Sequence, residues 1–205
     1  MAGFPQPIPT PTPGQVRRYL AQWREGDHEK ITAALTETFR AMPKNSDVGE
    51  VGVKIAALNG LYWTNILGVI QVASHIVSLD IDAQLAEDDV NPDLIESIAK
   101  VEIGGKRRRN YSFATKYCSF HAPDVYPIYD SRVAGVLNEL LKQGEAFDSF
   151  RPGEQWKTDY AIWHRSISRF RRFYELEEFS IRDIDKYLWM LDRERKAMGA
   201  GMPAA

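Results

Sequence analysis

Residues 123–141 read Pro123-Asp-Val-Tyr-Pro-Ile-Tyr-Asp130-Ser-Arg-Val-Ala-Gly-Val-Leu137-Asn-Glu-Leu-Leu141. Val133, Val136, Leu137, Leu140 and Leu141 fall at i, i+3, i+4, i+7 and i+8, the spacing that lines one face of an α-helix. Each proline restricts its own φ and the residue before it, so a stiff lead-in delivers Asp130 to the helix start. An aspartate there accepts N–H bonds from the first turn and contributes about 1 kcal/mol as a cap. The positive end of the helix dipole favours its charged form. A rigidly held carboxylate is also what a reaction through a cationic sugar transition state needs.

The same period recurs on both sides of this stretch. Asp27 heads a segment running to Met42, where Pro43 stops it, and Asp47 opens a helix to about Tyr62. Thr64 begins another, with Ile66, Val69, Ile70, Ala73, Ile76 and Val77 on one face. Asn91-Pro92-Asp93 supplies a cap, a proline at the first helical position and an acid in the first turn. Gly104-Gly105 ends that helix, and a new pattern from Lys106 to His121 carries Phe113, Ala114, Tyr117, Cys118 and Phe120 on its apolar face. A looser stretch spans Gly144–Gly153. Tyr160, Trp163, Ile167, Phe170 and Tyr174 mark a long helix, and Ser180 with Asp183 starts the last one, turning Ile181, Ile184, Leu188 and Leu191 inward. No stretch alternates long enough to argue a sheet. The expected fold is an all-α, multi-helix domain of about eight helices over residues 15–198. It lies between a disordered Pro/Thr-rich tail at 1–14 and a flexible end at 199–205.

With 205 residues, 44% hydrophobic and 26% charged, the chain can bury a core and is not compositionally disordered. No apolar run approaches the roughly 18 residues of a membrane helix, and the N-terminus lacks the basic flank and apolar stretch of a secretory signal. The single cysteine, Cys118, excludes an internal disulfide and fits a reducing compartment. A cytoplasmic protein with no membrane contact and no disulfide-linked partner is expected. The net charge of −2 conceals an asymmetry, because residues 1–99 hold 7 Lys/Arg against 13 Asp/Glu and residues 100–205 hold 19 against 15.

The basic excess is densest at Gly104-Gly105-Lys106-Arg107-Arg108-Arg109. Four cations at a helix N-terminus oppose the dipole and one another, a conflict that a bound phosphate would reverse. A solvated basic run explains the same residues equally well. A second basic stripe, Arg165, Arg169 and Arg172 with His164, Arg171 and Lys157 nearby, reads as the outside of an amphipathic helix. His28, His75, His121 and His164 show no metal-ligand spacing, and Cys118 with His121 makes only half a site. No metal and no cofactor is expected. Ser112 and Ser119 have no evident base partner, and Cys118 sits on an apolar face.

The order helix, Gly-rich turn, helix, then a proline-flanked segment ending in a helix-starting aspartate resembles the helix-hairpin-helix DNA glycosylase superfamily. Tyr111-Ser-Phe-Ala-Thr-Lys-Tyr-Cys-Ser-Phe-His121, Pro127-Ile-Tyr-Asp130-Ser and Phe179-Ser-Ile-Arg-Asp-Ile-Asp-Lys-Tyr-Leu-Trp189 are similar to its bacterial 8-oxoguanine glycosylase-like branch. The likeness covers residues 55–192. It implies a DNA glycosylase hydrolysing the N-glycosidic bond of a damaged or modified base, with double-stranded DNA as partner. Asp130 would support the charge developing at the sugar C1′. Gly104 and Gly105 would hold a DNA phosphate, with Lys106, Arg107, Arg108 and Arg109 supplying backbone electrostatics. Leu58-Asn-Gly-Leu-Tyr-Trp-Thr-Asn65 is similar to the junction that drives a wedge into the duplex, making Tyr62, Trp63 or Asn65 the wedge, although core packing accounts for the two aromatics as well.

Three departures bear on the chemistry. The family's Leu-Pro-Gly-x-Gly hairpin is replaced by Val101-Glu-Ile-Gly-Gly-Lys106, and one extra residue separates Pro127 from Asp130. The nucleophilic lysine of bifunctional members would fall at Asn110, with Lys106 four residues early and Lys116 six residues late. The expected enzyme is therefore monofunctional, with Lys106 a secondary catalytic candidate. Two rivals remain: a non-catalytic nucleic-acid-binding module on the same scaffold, and a helical interaction protein with Trp156, Trp163 and Trp189 in a partner groove.

Overall fold

The computed structural model describes residues 7–148 and 155–199. Among them are ten α-helices and one small hairpin: α1 (Pro13–Glu25), α2 (Asp27–Ala41), α3 (Val48–Tyr62), α4 (Val69–Ser78), the single turn α5 (Asp82–Leu85), α6 (Pro92–Ala99), β1 (Lys100–Ile103), β2 (Lys106–Arg109), α7 (Tyr111–His121), α8 (Ser131–Lys142), α9 (Tyr160–Phe173) and α10 (Ile181–Gly199). A 3₁₀ turn, Gln155–Lys157, precedes α9. The multi-helix all-α expectation holds.

The local signals set most of the boundaries. Asp47 caps α3 by accepting the Glu50 N–H at 2.9 Å, and the Asn91 carboxamide accepts from Asp93 and Leu94 at 3.1 and 3.2 Å. Ser180 and Asp183 bond reciprocally at the start of α10, the capping-box exchange that satisfies two orphan donors. The α8 stripe Val133, Val136, Leu137, Leu140 and Leu141 is buried, as are Tyr160, Trp163, Ile167 and Phe170 of α9.

Three expectations need correction. The helix placed at Thr64 begins at Val69, because the Asn59 side chain grips residues 64–66 and the backbone turns left-handed at Trp63, Asn65 and Gly68. Gly68 has a second constraint, since a Cβ there would meet Ile103 Cγ2 at 2.8 Å. The helix placed at Lys106–His121 begins at Tyr111, and Lys106–Arg109 is a strand paired antiparallel with Lys100–Ile103. Gly104 and Gly105 are the two residues of its turn, at φ 58° and 73°, the positive pair that a tight hairpin demands. They therefore belong to a β-hairpin and not to a turn between two helices. Val101 is buried while Lys100 and Glu102 are exposed, an alternation too short to stand out in the sequence. Finally, the expected tail is ordered over residues 7–12. Ile8 is buried, its N–H donates to Gln143 Oε1 and its carbonyl accepts from Gln143 Nε2. Residues 1–6 and 200–205, where the rest of the expected flexible ends fall, lie outside the described residues, as do 149–154.

Candidate active site

The segment leading to Asp130 is held by more than its prolines. The carbonyl of Pro127 accepts from the Tyr160 hydroxyl at 2.9 Å, that of Ile128 from the Trp163 indole at 3.1 Å, and that of Tyr129 from the Ser112 hydroxyl at 3.1 Å. The Tyr129 N–H donates to Thr115 Oγ1 at 3.0 Å. Helices α7 and α9 thus fix three successive residues, and Asp130 follows with no freedom left in its approach.

Asp130 has two oxygens and two tasks. Oδ1 accepts the Arg132 N–H at 2.8 Å, which caps α8. Oδ2 stands 3.7 Å from Lys116 Nζ. Lys116 is only 4% exposed, on the second turn of α7, and donates to Ser112 Oγ at 2.6 Å. Burial pushes the Lys116 ammonium below the usual lysine range, against the pull of Asp130 and Asp185.

These groups share the wall of a cavity of about 540 Å³. Helices α1 and α2 contribute Trp23, His28 and Thr32, and the end of α3 contributes Tyr62 and Trp63. Helix α10 presents Arg182, Asp185, Lys186 and Trp189, at i, i+3, i+4 and i+7. Trp23, His28 and Trp189 pack edge-on and tilted, with His28 and Trp189 centroids 4.7 Å apart, and the Arg132 guanidinium lies 5.4 Å from the Trp189 ring centre. Burial raises the Asp185 carboxyl to about 7, with Asp130 adding to the rise and Arg182, Lys116 and Lys186 opposing it.

Trp63 and Tyr62 part company. Tyr62 hydrogen-bonds Thr32 at 3.0 Å and packs edge-on against Phe120, so core packing accounts for it. Trp63 is 82% exposed at the cavity rim and left-handed (φ 51°), a conformation that costs a non-glycine residue on the order of 1 kcal/mol. Asn65 (φ 54°) does not line the cavity. The loop runs on to Gly68, against Ile103 of the basic hairpin.

The four hairpin cations differ from one another. Arg109 is committed: it pairs with Glu96, donates to the carbonyls of Lys157 and Thr158 at 2.7 and 3.2 Å, and lies 4.3 Å from the Tyr111 ring centre. Lys106, Arg107 and Arg108 are exposed. Neither Lys106 nor Gly104 and Gly105 line the cavity. With α7 starting at Tyr111, the four cations do not crowd a helix N-terminus. On α9, Arg169 pairs with Asp148, and Arg171 donates to the carbonyls of Glu177 and Phe179. Trp156 and Trp163 are fully buried and cannot line an exposed partner groove. Among the described residues no cluster of His, Cys, Asp or Glu could hold a metal ion, and no helix is long and apolar enough to cross a membrane.

Asp130, expected as the active-site carboxylate, and Trp63, one of three expected wedge candidates, both line the cavity, as does Lys116, which the spacing left six residues late; Ser112, without an evident base partner in the sequence, and Asp185 were missed. The four-residue spacing of Ser112 and Lys116, and the polar stripe on α10, were signals that sequence reasoning could have used.

A family model described as an N-terminal domain, HI_0787_N, matches residues 15–125. The chain belongs to this family. The matched residues include Trp23, His28, Trp63, Ser112 and Lys116, whereas Asp130 and α10 follow them. An uncharacterized protein of Haemophilus influenzae is 36% identical over 141 residues, 66% of this chain and 63% of the relative. The match thus spans less than two thirds of that relative's length. No solved structure matches.

Proposed function

We propose that this protein cleaves the N-glycosidic bond of a damaged or modified base in double-stranded DNA, receiving the flipped nucleotide in the Lys116–Asp130 cavity. The observation that carries this reading is the buried amine 3.7 Å from a rigidly held carboxylate on the wall of an aromatic-lined cavity. Enzymes that act on a base extrude it into a pocket where it stacks on rings and is read at its edge. Trp23 and Trp189 supply ring surface, and Asp185 can receive N–H donors from a base edge. Trp63, exposed at the cavity rim, can serve as a wedge, and Arg107 and Arg108 can meet phosphates.

Asp130 supports the positive charge at C1′ as the base departs with the bonding electrons. The buried Lys116 replaces Lys106 as the lysine to consider. A buried amine loses its proton more readily and becomes a nucleophile. Attack of its lone pair on C1′ forms a C–N bond as the C1′–base bond breaks; the C1′–O4′ bond then breaks with its electrons going to O4′, one amine proton passes to the departed base and the other to O4′, and an imine remains. A lyase step, unexpected from the linear spacing, thereby returns to the reading.

The test is base release from duplexes carrying assorted lesions, with borohydride added to trap any imine. Release and trapping that vanish in Lys116→Ala, and release that falls in Asp130→Asn, are the expected results. Release without trapping restricts the enzyme to hydrolysis. Salt-sensitive duplex binding with no release on any lesion returns the non-catalytic module.

A further inference from the structure

We infer that Ser112 is a positioning residue for the Lys116 amine, an assignment that rests on the glycosidic reading above and deepens it. Ser112 Oγ lies 3.1 Å from the Tyr129 carbonyl and 2.6 Å from Lys116 Nζ. A carbonyl only accepts, so the single hydroxyl proton goes to Tyr129. The contact to Lys116 must then run from amine to serine. Ser112 cannot be a nucleophile that hands its proton to Lys116, because that proton is already committed elsewhere.

The consequence falls on the amine. A neutral Nζ carries two hydrogens and one lone pair around its bond to Cε. Ser112 takes one hydrogen in a direction set by the Tyr129 carbonyl, which is itself fixed by the segment that delivers Asp130. Asp130 Oδ2, 3.7 Å from Nζ, attracts the second. The lone pair is left the third position, so the serine decides where the nucleophile points. The geometry needs the four-residue spacing on α7, which puts Ser112 one turn before Lys116 on the same face. The other charged and titratable groups lining this cavity are Asp185, Arg182 and Lys186 of α10, Arg132 of α8, His28 of α2, Tyr62 of α3 and Tyr129 before α8.

Two measurements on the full chain test this. The first is reductive methylation by formaldehyde and borohydride across pH, with modified Lys116 quantified by peptide mass spectrometry. Removing an acceptor from the ammonium favours its deprotonation, so Ser112→Ala should move the pH of half-reactivity down, and Ser112→Thr should restore it. A serine that merely packs would leave that midpoint unchanged. The second is borohydride trapping on an abasic-site duplex, where Ser112→Ala should slow trapping roughly tenfold through lost alignment and Ser112→Thr should recover it. A midpoint and trapping rate in Ser112→Ala equal to those of the unsubstituted protein overturn the inference. If the unsubstituted protein traps no DNA at all, the imine step fails while base release still decides the glycosidic reading, and the methylation midpoint still decides the role of Ser112.

Discussion

Two buried lysines in this molecule sit in opposite hydrogen-bonding surroundings. Lys54, on α3, is fully buried and donates to the Met42 carbonyl at 3.0 Å, the Lys44 carbonyl at 2.8 Å and Asn45 Oδ1 at 2.7 Å. All three ammonium hydrogens are used, and the chain leaving α2 is tied down onto α3. Burial lowers Lys54 only to about 8, so it remains charged at neutral pH. Lys116 is almost as buried, yet it has one short hydrogen bond, a carboxylate at 3.7 Å and a cavity in front of it. Burial alone therefore does not mark a reactive amine. What separates the two is saturation: a lysine with every hydrogen engaged is structural, and one with an open valence beside a cavity can react. The hairpin repeats the contrast among arginines, with Arg109 engaged by one carboxylate and two carbonyls while Arg107 and Arg108 stand in solvent.

The largest expected effect comes from exchanging the fates of the two lysines. Lys116→Ala should reduce base release by roughly 10²-fold or more with little loss of stability. Lys54→Met should leave the Met42 and Lys44 carbonyls without this donor and Asn45 Oδ1 with the Tyr117 hydroxyl alone, and cost about 2–4 kcal/mol in urea unfolding, with turnover per folded molecule preserved. If Lys54→Met abolished release while the fold held, the distinction by saturation would be wrong. Next in size is the hairpin. Arg109→Ala should lower stability by about 1–2 kcal/mol, whereas Arg107→Ala and Arg108→Ala should each reduce the salt slope of duplex binding by about 1 without changing the unfolding midpoint. Trp63→Ala, at an exposed and strained position, should weaken duplex binding roughly tenfold and leave stability unchanged or slightly raised.

A separate effect concerns pH. The Asp185 carboxyl is raised by burial to about 7 from an ordinary value of 3.8. A group raised in the folded state contributes its stability below the unfolded value and loses it as pH rises through the folded one. Stability should therefore decline between about pH 4 and pH 7, and Asp185→Asn should flatten that part of the profile, read as urea midpoints at steps across the window.

The caps at Asp47, Asn91, Asp130 and Ser180 and the stripes of α8 and α9 were readable because each depends on neighbours within a turn or two. The hairpin was not, since four residues per strand give only two alternations, and four consecutive cations suggested a solvated helix end. Lys116 read as six residues late because counting along the chain from Pro123 and Pro127 gives an offset and not a position in space. Trp63 was placed at the DNA-facing junction, but its exposure came from the left-handed turn that Asn59 braces.

What the sequence by itself determined is the helical period, the caps and the stiff approach to Asp130, all products of short-range sterics and hydrogen bonding. What only the tertiary structure decided is which buried amine keeps an open valence. That depends on acceptors brought from α2, α7, α8 and α10, whose convergence no local pattern records.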